Sequence, residues 1–380
     1  AMTARPARRP RRIRTARELR RMPAAGLLLL ALLAAVGAPP PAEAVDAAYR
    51  NNMRTARILI SRGDAQRALN IYERVLRDHP ENTQASVGKA NALIALREFD
   101  DAEAFLEDAI TRIDDDADLY RIRVKLRREQ KDWEEAFADV IRMVAADEDR
   151  ATWALVETRD LLEAGLTPAA ARSRAGAARD ESPQTLTFTL LSAVLAVLDG
   201  EPAAGRALVV EAETAQEIKG SLLTRYAEEL AKLGRNPEAL DALEAAAMRT
   251  SHPAHRSQVL FRVAELQEDL KRYRAALATL AVIVEERRGT ATLGKALLAS
   301  ADIHQKYLDN PEQALTVYLQ IQDDPILGHH RPDMLLQMGD CYLQLARFEE
   351  AADAYQRVLI DAIDPEQAET ASFQLAETAF

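Results

Sequence analysis

Three basic side chains have a spacing that could bind an anion. Arg121, Lys125 and Arg128 recur at i, i+4 and i+7, so they share one face of a helix. Such a strip could receive a C-terminal carboxylate, an acidic peptide segment or an anionic polymer through charge-assisted hydrogen bonds. The alternative is a solvated helix face whose cations pair with nearby Glu and Asp side chains. Both interpretations stay open at this point.

The other chemistry-bearing residues do not assemble a catalytic or metal site. Histidines occur in HPAH at 252–255 and GHHRPD at 328–333, both predicted turns, and no CxxC or HExxH motif is present. The aspartates at 114–118 suggest a calcium loop, but the central glycine is missing and the twelfth position is Lys125. There is no glycine-rich phosphate loop and no GxSxG motif. We therefore expect no enzyme activity, no metal and no cofactor.

The N-terminal segment has the organisation of an export signal. Nine arginines lie within 5–21, the apolar run AAGLLLLALLAAVGA follows at 24–38, and AEA at 42–44 is a small-residue cleavage site. We predict a signal peptide over 1–44 and a periplasmic location of the Gram-negative type. Two alternatives remain, an inner-membrane anchor through an uncleaved 24–38 and a basic arm that binds nucleic acid. The apolar run is short for a bilayer span of about 20 residues.

The predicted mature chain is strongly acidic. Removing 1–44 takes away nine of 49 basic and two of 60 acidic residues, which leaves a net charge of −18. Such a body repels itself and is a poor binder of nucleic acid, so we expect no nucleic-acid partner and no stable membrane span. Its only cysteine, Cys341, excludes an internal disulfide and is expected to be a small buried hydrophobic residue.

The stretch LLQMGDCYLQLARFEEAADAYQRVL at 335–359 gives the pattern that much of the chain repeats. Each half places apolar residues on one helical stripe, the second half through Ala351, Tyr355 and Val358. Gly339 and Ala351 are small where two antiparallel helices must approach closely. The stretch resembles the tetratricopeptide repeat (TPR), a helix hairpin with small residues at its eighth and twentieth positions and aromatic residues at its eleventh and twenty-fourth.

The resemblance implies an all-α fold, a right-handed TPR-like α-solenoid of about nine antiparallel helix hairpins. We predict N-terminal hairpins over 45–147 (at 49–80, 83–114 and 117–147), divergent hairpins over 148–215, and C-terminal hairpins over 216–380. In the last part Ala239, Ala276, Ala314 and Ala351 recur at intervals of 37, 38 and 37 residues.

Finer features of the helices are also predicted. Thr167-Pro168 and Ser182-Pro183 are typical of helix starts, with a capping residue before a first-turn proline. The apolar segment Leu186 to Leu198 is expected to be a fully buried helix. Pro365 to Phe380 is expected to be an unpaired last helix with Ala376 at the small position.

The resemblance also implies a binding groove lined by the first helix of each hairpin. The residues that it places there are Arg50 and Arg57 in the first repeat, Asn91 in the second, Arg121, Lys125 and Arg128 in the third, and Glu228, Phe261, Glu265, Tyr307, Leu336 and Asp340 in later repeats. A groove that is basic at one end and acidic and apolar at the other would orient an extended partner.

The function implied is that of a non-enzymatic scaffold or adaptor with a protein or peptide partner, in an envelope assembly or export system. One alternative is the N-terminal helical module of a larger export channel or enzyme whose active domain lies beyond residue 380. Another is a self-assembling solenoid that associates through its C-terminal edge at Phe380.

Overall fold

The structure is a computed structural model that describes residues 42–286, 291–322, 331–361 and 365–378. These ranges contain nineteen α-helices and no strand. In chain order the helices are α1 (Ala42–Ser61), α2 (Ala65–Asp78), α3 (Thr83–Leu96), α4 (Phe99–Arg112), α5 (Ala117–Gln130), α6 (Trp133–Ala146), α7 (Ala151–Ala164), α8 (Pro168–Glu181), α9 (Leu186–Leu198), α10 (Pro202–Ala215), α11 (Ser221–Lys232), α12 (Asn236–Arg249), α13 (Pro253–Asp269), α14 (Tyr273–Glu286), α15 (Ala291–Lys306), α16 (Pro311–Gln322), α17 (Arg331–Gln344), α18 (Phe348–Asp361) and α19 (Pro365–Glu377). The predicted signal peptide lies outside the described residues except for 42–44, which form the start of α1.

Consecutive helices pack in pairs as antiparallel hairpins, from α1 with α2 to α17 with α18, with the exception of α7 and α8, and α19 packs on α18. Helix α8 packs instead on α6 and α9. The prediction of an all-α fold built of about nine helix hairpins and one further helix is therefore confirmed for the described ranges. The chain divides into two compact units between Ile113 and Asp114. The first unit contains α1 to α4 and the second contains α5 to α19.

Polar side chains fix the starts of several helices. Asn82 accepts a hydrogen bond from the backbone N–H of Ala85 at 2.8 Å before α3. Asp116 accepts from the N–H of Asp118 at 2.8 Å, so the aspartate run at 114–118 forms a turn and the start of α5. Pro168 opens α8 directly after Thr167, as predicted, but the side chain of Thr167 makes no capping hydrogen bond.

The prediction of a helix start at Ser182-Pro183 is wrong. Ser182 ends α8, since its N–H donates to the carbonyl of Ala178 at 2.9 Å. Its own carbonyl accepts from the N–H of Thr185 at 3.0 Å, which makes a β-turn with Pro183 in the second position. Helix α9 begins only at Leu186. A Ser-Pro pair suits a turn as well as a helix start, and here the turn is formed.

Small residues allow close helix packing. A Cβ atom at Gly339 would clash with the ring of Tyr355, and a Cβ at Gly88 would clash with the ring of Tyr72. Each tyrosine therefore lies directly against the backbone of a neighbouring helix. The predicted close approach of two helices at Gly339 is confirmed.

The core follows the predicted repeat period. The alanines at 239, 276, 314 and 351 are all fully buried. Cys341 is also fully buried, and burial raises the pKa of its thiol to about 12. In α19 the prediction for Ala376 is wrong, because Ala371 is the buried residue and Ala376 is exposed. The two positions differ by about 140° around a helix of 3.6 residues per turn.

The divergent region has an apolar centre and a polar clamp. Every residue of α9 from Thr187 to Val197 is buried, which confirms the predicted fully buried helix. Glu213 of α10 is also fully buried. Its Oε1 accepts from the backbone N–H groups of Leu222 and Leu223 at 2.9 and 3.0 Å, and Arg249 donates from Nε to its Oε2 at 3.0 Å.

A second buried carboxylate lies in the hairpin of α5 and α6. Arg123 donates to both oxygens of Asp139, from Nε at 2.8 Å and from Nη2 at 2.6 Å. Arg142 adds a third bond from Nη1 at 2.7 Å. Because Asp139 is fully buried, these three bonds replace the water that its charge loses on folding.

Candidate partner-binding surface

The predicted groove residues of the first unit lie on α1 and α3, the first helices of its two hairpins. Arg50 and Arg57 are exposed, and Nη2 of Arg57 donates to Oε1 of Gln84 at 3.0 Å. Asn91 is half-buried and donates from Nδ2 to the carbonyl of Val87 at 3.0 Å, within its own helix. The arginine therefore bridges two first helices.

The basic strip of α5 is defined by Arg121, Lys125 and Arg128. Arg121 lies 3.4 Å from Asp118 in the first turn of the same helix. Arg128 donates from Nη1 to Oε1 of Glu157 at 2.6 Å. Both arginine side chains are 40% exposed, and Lys125 is exposed. An anionic partner that binds here would have to compete with these carboxylates or bind alongside them.

Four successive first helices of the second unit carry a carboxylate at one place in the repeat. Glu228 of α11, Glu265 of α13, Asp302 of α15 and Asp340 of α17 follow one another at intervals of 37, 37 and 38 residues. This is close to the period of the buried alanines in the second helices. We call these four residues the acidic column.

The C-terminal half of the acidic column is internally satisfied. The hydroxyl of Tyr318 donates to Asp302 at 3.0 Å, and Lys306 pairs with the other oxygen at 2.8 Å. The hydroxyl of Tyr355 donates to Asp340 at 2.6 Å. Burial raises the pKa of the Asp340 carboxyl above its ordinary value, although the tyrosine acts in the opposite direction. These two carboxylates help to hold the tyrosines that pack the hairpins.

The N-terminal half of the acidic column borders a cleft between α11 and α13. The cleft has a volume of about 190 Å³. Its apolar lining consists of Ala227, Ala231, Leu243 and Leu266, and its charged lining consists of Glu228, Arg262, Glu265 and Asp269. None of these four charged side chains has a hydrogen bond or ion pair with another described residue. These four charged groups therefore contact solvent beside the apolar lining of the cleft.

A partly exposed aromatic pair joins α14 to the turn that follows α15. The rings of Tyr273 and Tyr307 stack with centroids 4.6 Å apart and planes 8° from parallel. Tyr307 is 45% exposed, and its hydroxyl donates to Glu268, which raises the pKa of the phenol. Of the other predicted apolar groove residues, Phe261 is half-buried, and the half-buried Leu336 packs against the core.

Some members of this surface were absent from the sequence-based set. Asp302 continues the 37-residue spacing from Glu265, so the spacing alone could have revealed it. Tyr273 and Leu243 lie on second helices, and no pattern within the first helices points to them. Their place beside Tyr307 and the cleft depends on packing between hairpins.

In the part of the chain that is described, no three His, Cys, Asp or Glu side chains are grouped so that they could hold a metal ion. No helix within the same ranges is both long and apolar enough to span a membrane. The apolar run at 24–38 lies outside those ranges.

Comparison with known proteins identifies the repeat. Two family models described as tetratricopeptide repeat match the chain, one at residues 59–126 and the other at 333–361. No curated protein sequence matches the chain.

Solved structures resemble the chain weakly. The TPR domain of P58(IPK) is 17% identical over 87% of this chain and 97% of its own, with a TM-score of 0.26. PilF of Pseudomonas aeruginosa is 18% identical over 60% of this chain and 97% of its own, with a TM-score of 0.32. A chain of the Naa15/Naa10 complex bound to HypK-THB is 16% identical over 87% of this chain and 55% of its own, with a TM-score of 0.33. Values this low support no inference about partners.

Proposed function

Because the chain is a tetratricopeptide repeat protein, we propose that it is a non-enzymatic scaffold or adaptor that binds an extended protein or peptide segment along its first helices. Proteins built of stacked hairpins present long continuous surfaces, and their usual role is recognition. The proposed partner surface of the second unit runs from the basic strip of α5 to the acidic column of α11 to α17.

One observation carries this proposal. First helices keep charged side chains accessible, and fully buried alanines that recur at a constant place in the second helices hold the hairpins closely together. Lys125 and Glu265 are exposed on first helices, Tyr307 is exposed in the turn after α15, and Ala276 and Ala314 are fully buried on second helices. A surface held by such close packing is ordered before the partner arrives, so binding costs little conformational entropy.

Export to a periplasm, with a place in an envelope assembly or export system, is the second part of the proposal. It is supported by the basic segment, the apolar run and the small-residue site of 1–44. Mass spectrometry of protein from the periplasmic fraction would test this part, and we expect a mature chain that begins at Val45. Recovery of the uncleaved chain in the membrane fraction would favour the inner-membrane anchor instead.

Site-specific photocrosslinking in intact cells tests the binding surface. A photoreactive phenylalanine would replace Lys125 or Glu265 on first helices, or Tyr307 in the turn directly after the first helix α15. The matched controls are exposed residues on second helices, Glu107, Asp241 and Gln313. We expect discrete protein adducts at the first-helix positions and none at the controls. Equal adducts from both sets, or none from either, would contradict the proposal.

The basic strip has a separate test. Changing Arg121, Lys125 and Arg128 to Glu should abolish a salt-sensitive interaction with the crosslinked partner. The change also disrupts the ion pair of Arg128 with Glu157, so the variant Glu157→Gln serves as the control for that loss. Partner binding that survives the triple change would remove the strip from the binding surface.

A further inference from the structure

We propose that the cleft between α11 and α13 receives an arginine or lysine side chain from the partner segment. This inference rests on the proposed function and adds to it the chemistry of one contact. It concerns the second unit alone, since α11, α12 and α13 all belong to it.

The composition of the cleft fits a long basic side chain. Such a side chain has an apolar stem and a charged head, and it is most stable where the stem is covered and the head is near anions. Leu243 and Leu266 offer apolar cover, while Glu228, Glu265 and Asp269 supply three carboxylates against the single guanidinium of Arg262. A volume of about 190 Å³ holds roughly six waters at about 30 Å³ each, which leaves room for one such side chain.

The state of these carboxylates distinguishes them from the rest of the acidic column. Asp302 and Asp340 already accept hydrogen bonds from Tyr318 and Tyr355. Glu228 and Glu265 have no hydrogen-bond or ion-pair partner among the described residues. Within the acidic column, therefore, carboxylates without such a partner among the described residues lie beside apolar side chains only at the cleft.

The alternative occupants fit less well. Among the described residues, no three carboxylates or other ligands are grouped closely enough to hold a metal ion. The carboxylates of the cleft therefore suit a larger organic cation better than a metal ion. An acidic segment would be repelled by the surplus of negative charge. A purely apolar side chain would cover Leu243 and Leu266 but would take water from the carboxylates without replacing it.

The test uses the full chain and a library of random twelve-residue peptides displayed on phage. Selected peptides are synthesised and their affinities measured by fluorescence anisotropy. Each is compared with a version in which arginine is replaced by citrulline, or lysine by glutamine, so that the protein itself stays unchanged. We expect selected peptides to be rich in arginine and lysine, with arginine preferred because its planar fork suits carboxylates.

Two protein variants complete the design. The cleft variant is Glu228→Gln, Glu265→Gln, Asp269→Asn. The control removes the same charge at three exposed positions of second helices, Glu107→Gln, Glu181→Gln and Asp241→Asn. We expect the cleft variant to lose on the order of tenfold in affinity for a basic peptide, as for the loss of one charge-assisted hydrogen bond, and the control to lose little. Circular dichroism verifies that both variants keep their helical content.

The outcomes separate this inference from the proposed function. Peptides that bind first helices with no basic residue, or with an affinity that neither citrulline nor the cleft variant changes, would overturn the inference and leave the scaffold proposal standing. If no peptide is selected above background, both are contradicted. If the cleft variant loses its helical content, the citrulline comparison decides the matter without it.

Discussion

Glu213 is the residue whose removal should reveal most about how this chain is held together. It lies in α10, yet its carboxylate serves the next hairpin, because it accepts from the N–H groups of Leu222 and Leu223 at the start of α11. The N-cap position of α11 is Gly220, which has no side chain to do this. We predict that Glu213→Ala destabilises the junction of α10, α11 and α12 by about 3 kcal/mol.

The magnitude follows from the contacts. Removing one partner of a buried ion pair costs about 3–5 kcal/mol, and loss of a helix cap costs about 1 kcal/mol on its own. The remaining cation, Arg249, keeps 33% of its side chain exposed, so water can solvate part of its charge. The expected cost therefore lies at the lower end of the range for buried pairs.

Hydrogen exchange followed by mass spectrometry is the appropriate assay. Repeat arrays often unfold without a single cooperative transition, so a global unfolding curve would mix the contributions of distant hairpins. A local cost of about 3 kcal/mol corresponds to a rise on the order of a hundredfold in exchange rates, at about 1.4 kcal/mol per factor of ten. We expect this rise in peptides that cover Leu222 and Leu223.

A matched control lies two residues away on the same helix. Glu211 is exposed, so Glu211→Ala should leave exchange at the start of α11 almost unchanged. If Glu213→Ala raised exchange there no more than this control does, the carboxylate would contribute nothing beyond its helix propensity. The account of the buried clamp would then be refuted.

Three further predictions follow from packing and burial. Gly339→Ala should destabilise the chain by about 1–3 kcal/mol in chemical denaturation, because its Cβ would clash with Tyr355. The control Gly176→Ala, in a helix with open space around it, should instead stabilise the chain by about 0.5–1 kcal/mol. Equal effects of the two substitutions would contradict the packing argument. Burial raises the pKa of Asp340, so its contribution to stability falls as the pH rises from the ordinary pKa of aspartate through the pKa of the folded state. In urea titrations at a series of pH values, Asp340→Asn should remove that fall. A fall of the same size in the variant would contradict the assignment of this pH dependence to Asp340. Cys341 is fully buried with a thiol pKa of about 12, so it should react with a thiol reagent at pH 8 only after denaturant is added, and rapid labelling of the native chain would refute its burial.

The sequence predicted the hairpins well, because their signal is local and repeated. Small residues such as Ala239 and Gly339 occur at the places where helices approach, and the apolar spacing on either side defines each helix. At Ser182-Pro183 the same local reasoning failed, because a Ser-Pro pair suits the first two positions of a β-turn as well as the start of a helix.

The partners of charged residues could not be predicted from local patterns. Arg128 pairs with Glu157 in the next hairpin, and Arg249 pairs with Glu213 from the preceding hairpin. In each case nothing in the helix that holds the arginine specifies which carboxylate it will meet. The spacing of the basic strip is correctly read from the sequence, but the charge that the strip presents to a partner depends on carboxylates such as Glu157 in another hairpin.

The acidic column could be predicted from the sequence only in part. Its period is visible in the sequence, yet the sequence-based set took Tyr307 from this repeat and left out Asp302. Whether each carboxylate is satisfied or available cannot be derived from the period. Tyr318 reaches Asp302, whereas no described side chain reaches Glu265.

The clamp at Glu213 also bears on how such a chain can change in evolution. An array joined only by apolar contacts can gain or lose whole hairpins, since any copy fits against any neighbour. Here α10 carries an anion whose counter-charge is encoded in α12, so excision or duplication at this junction would strand one charge inside the protein. Insertions and deletions of entire repeats should therefore be tolerated more readily at junctions that hold no buried ion pair than between residues 202 and 249, and this junction would act as a fixed point of the chain.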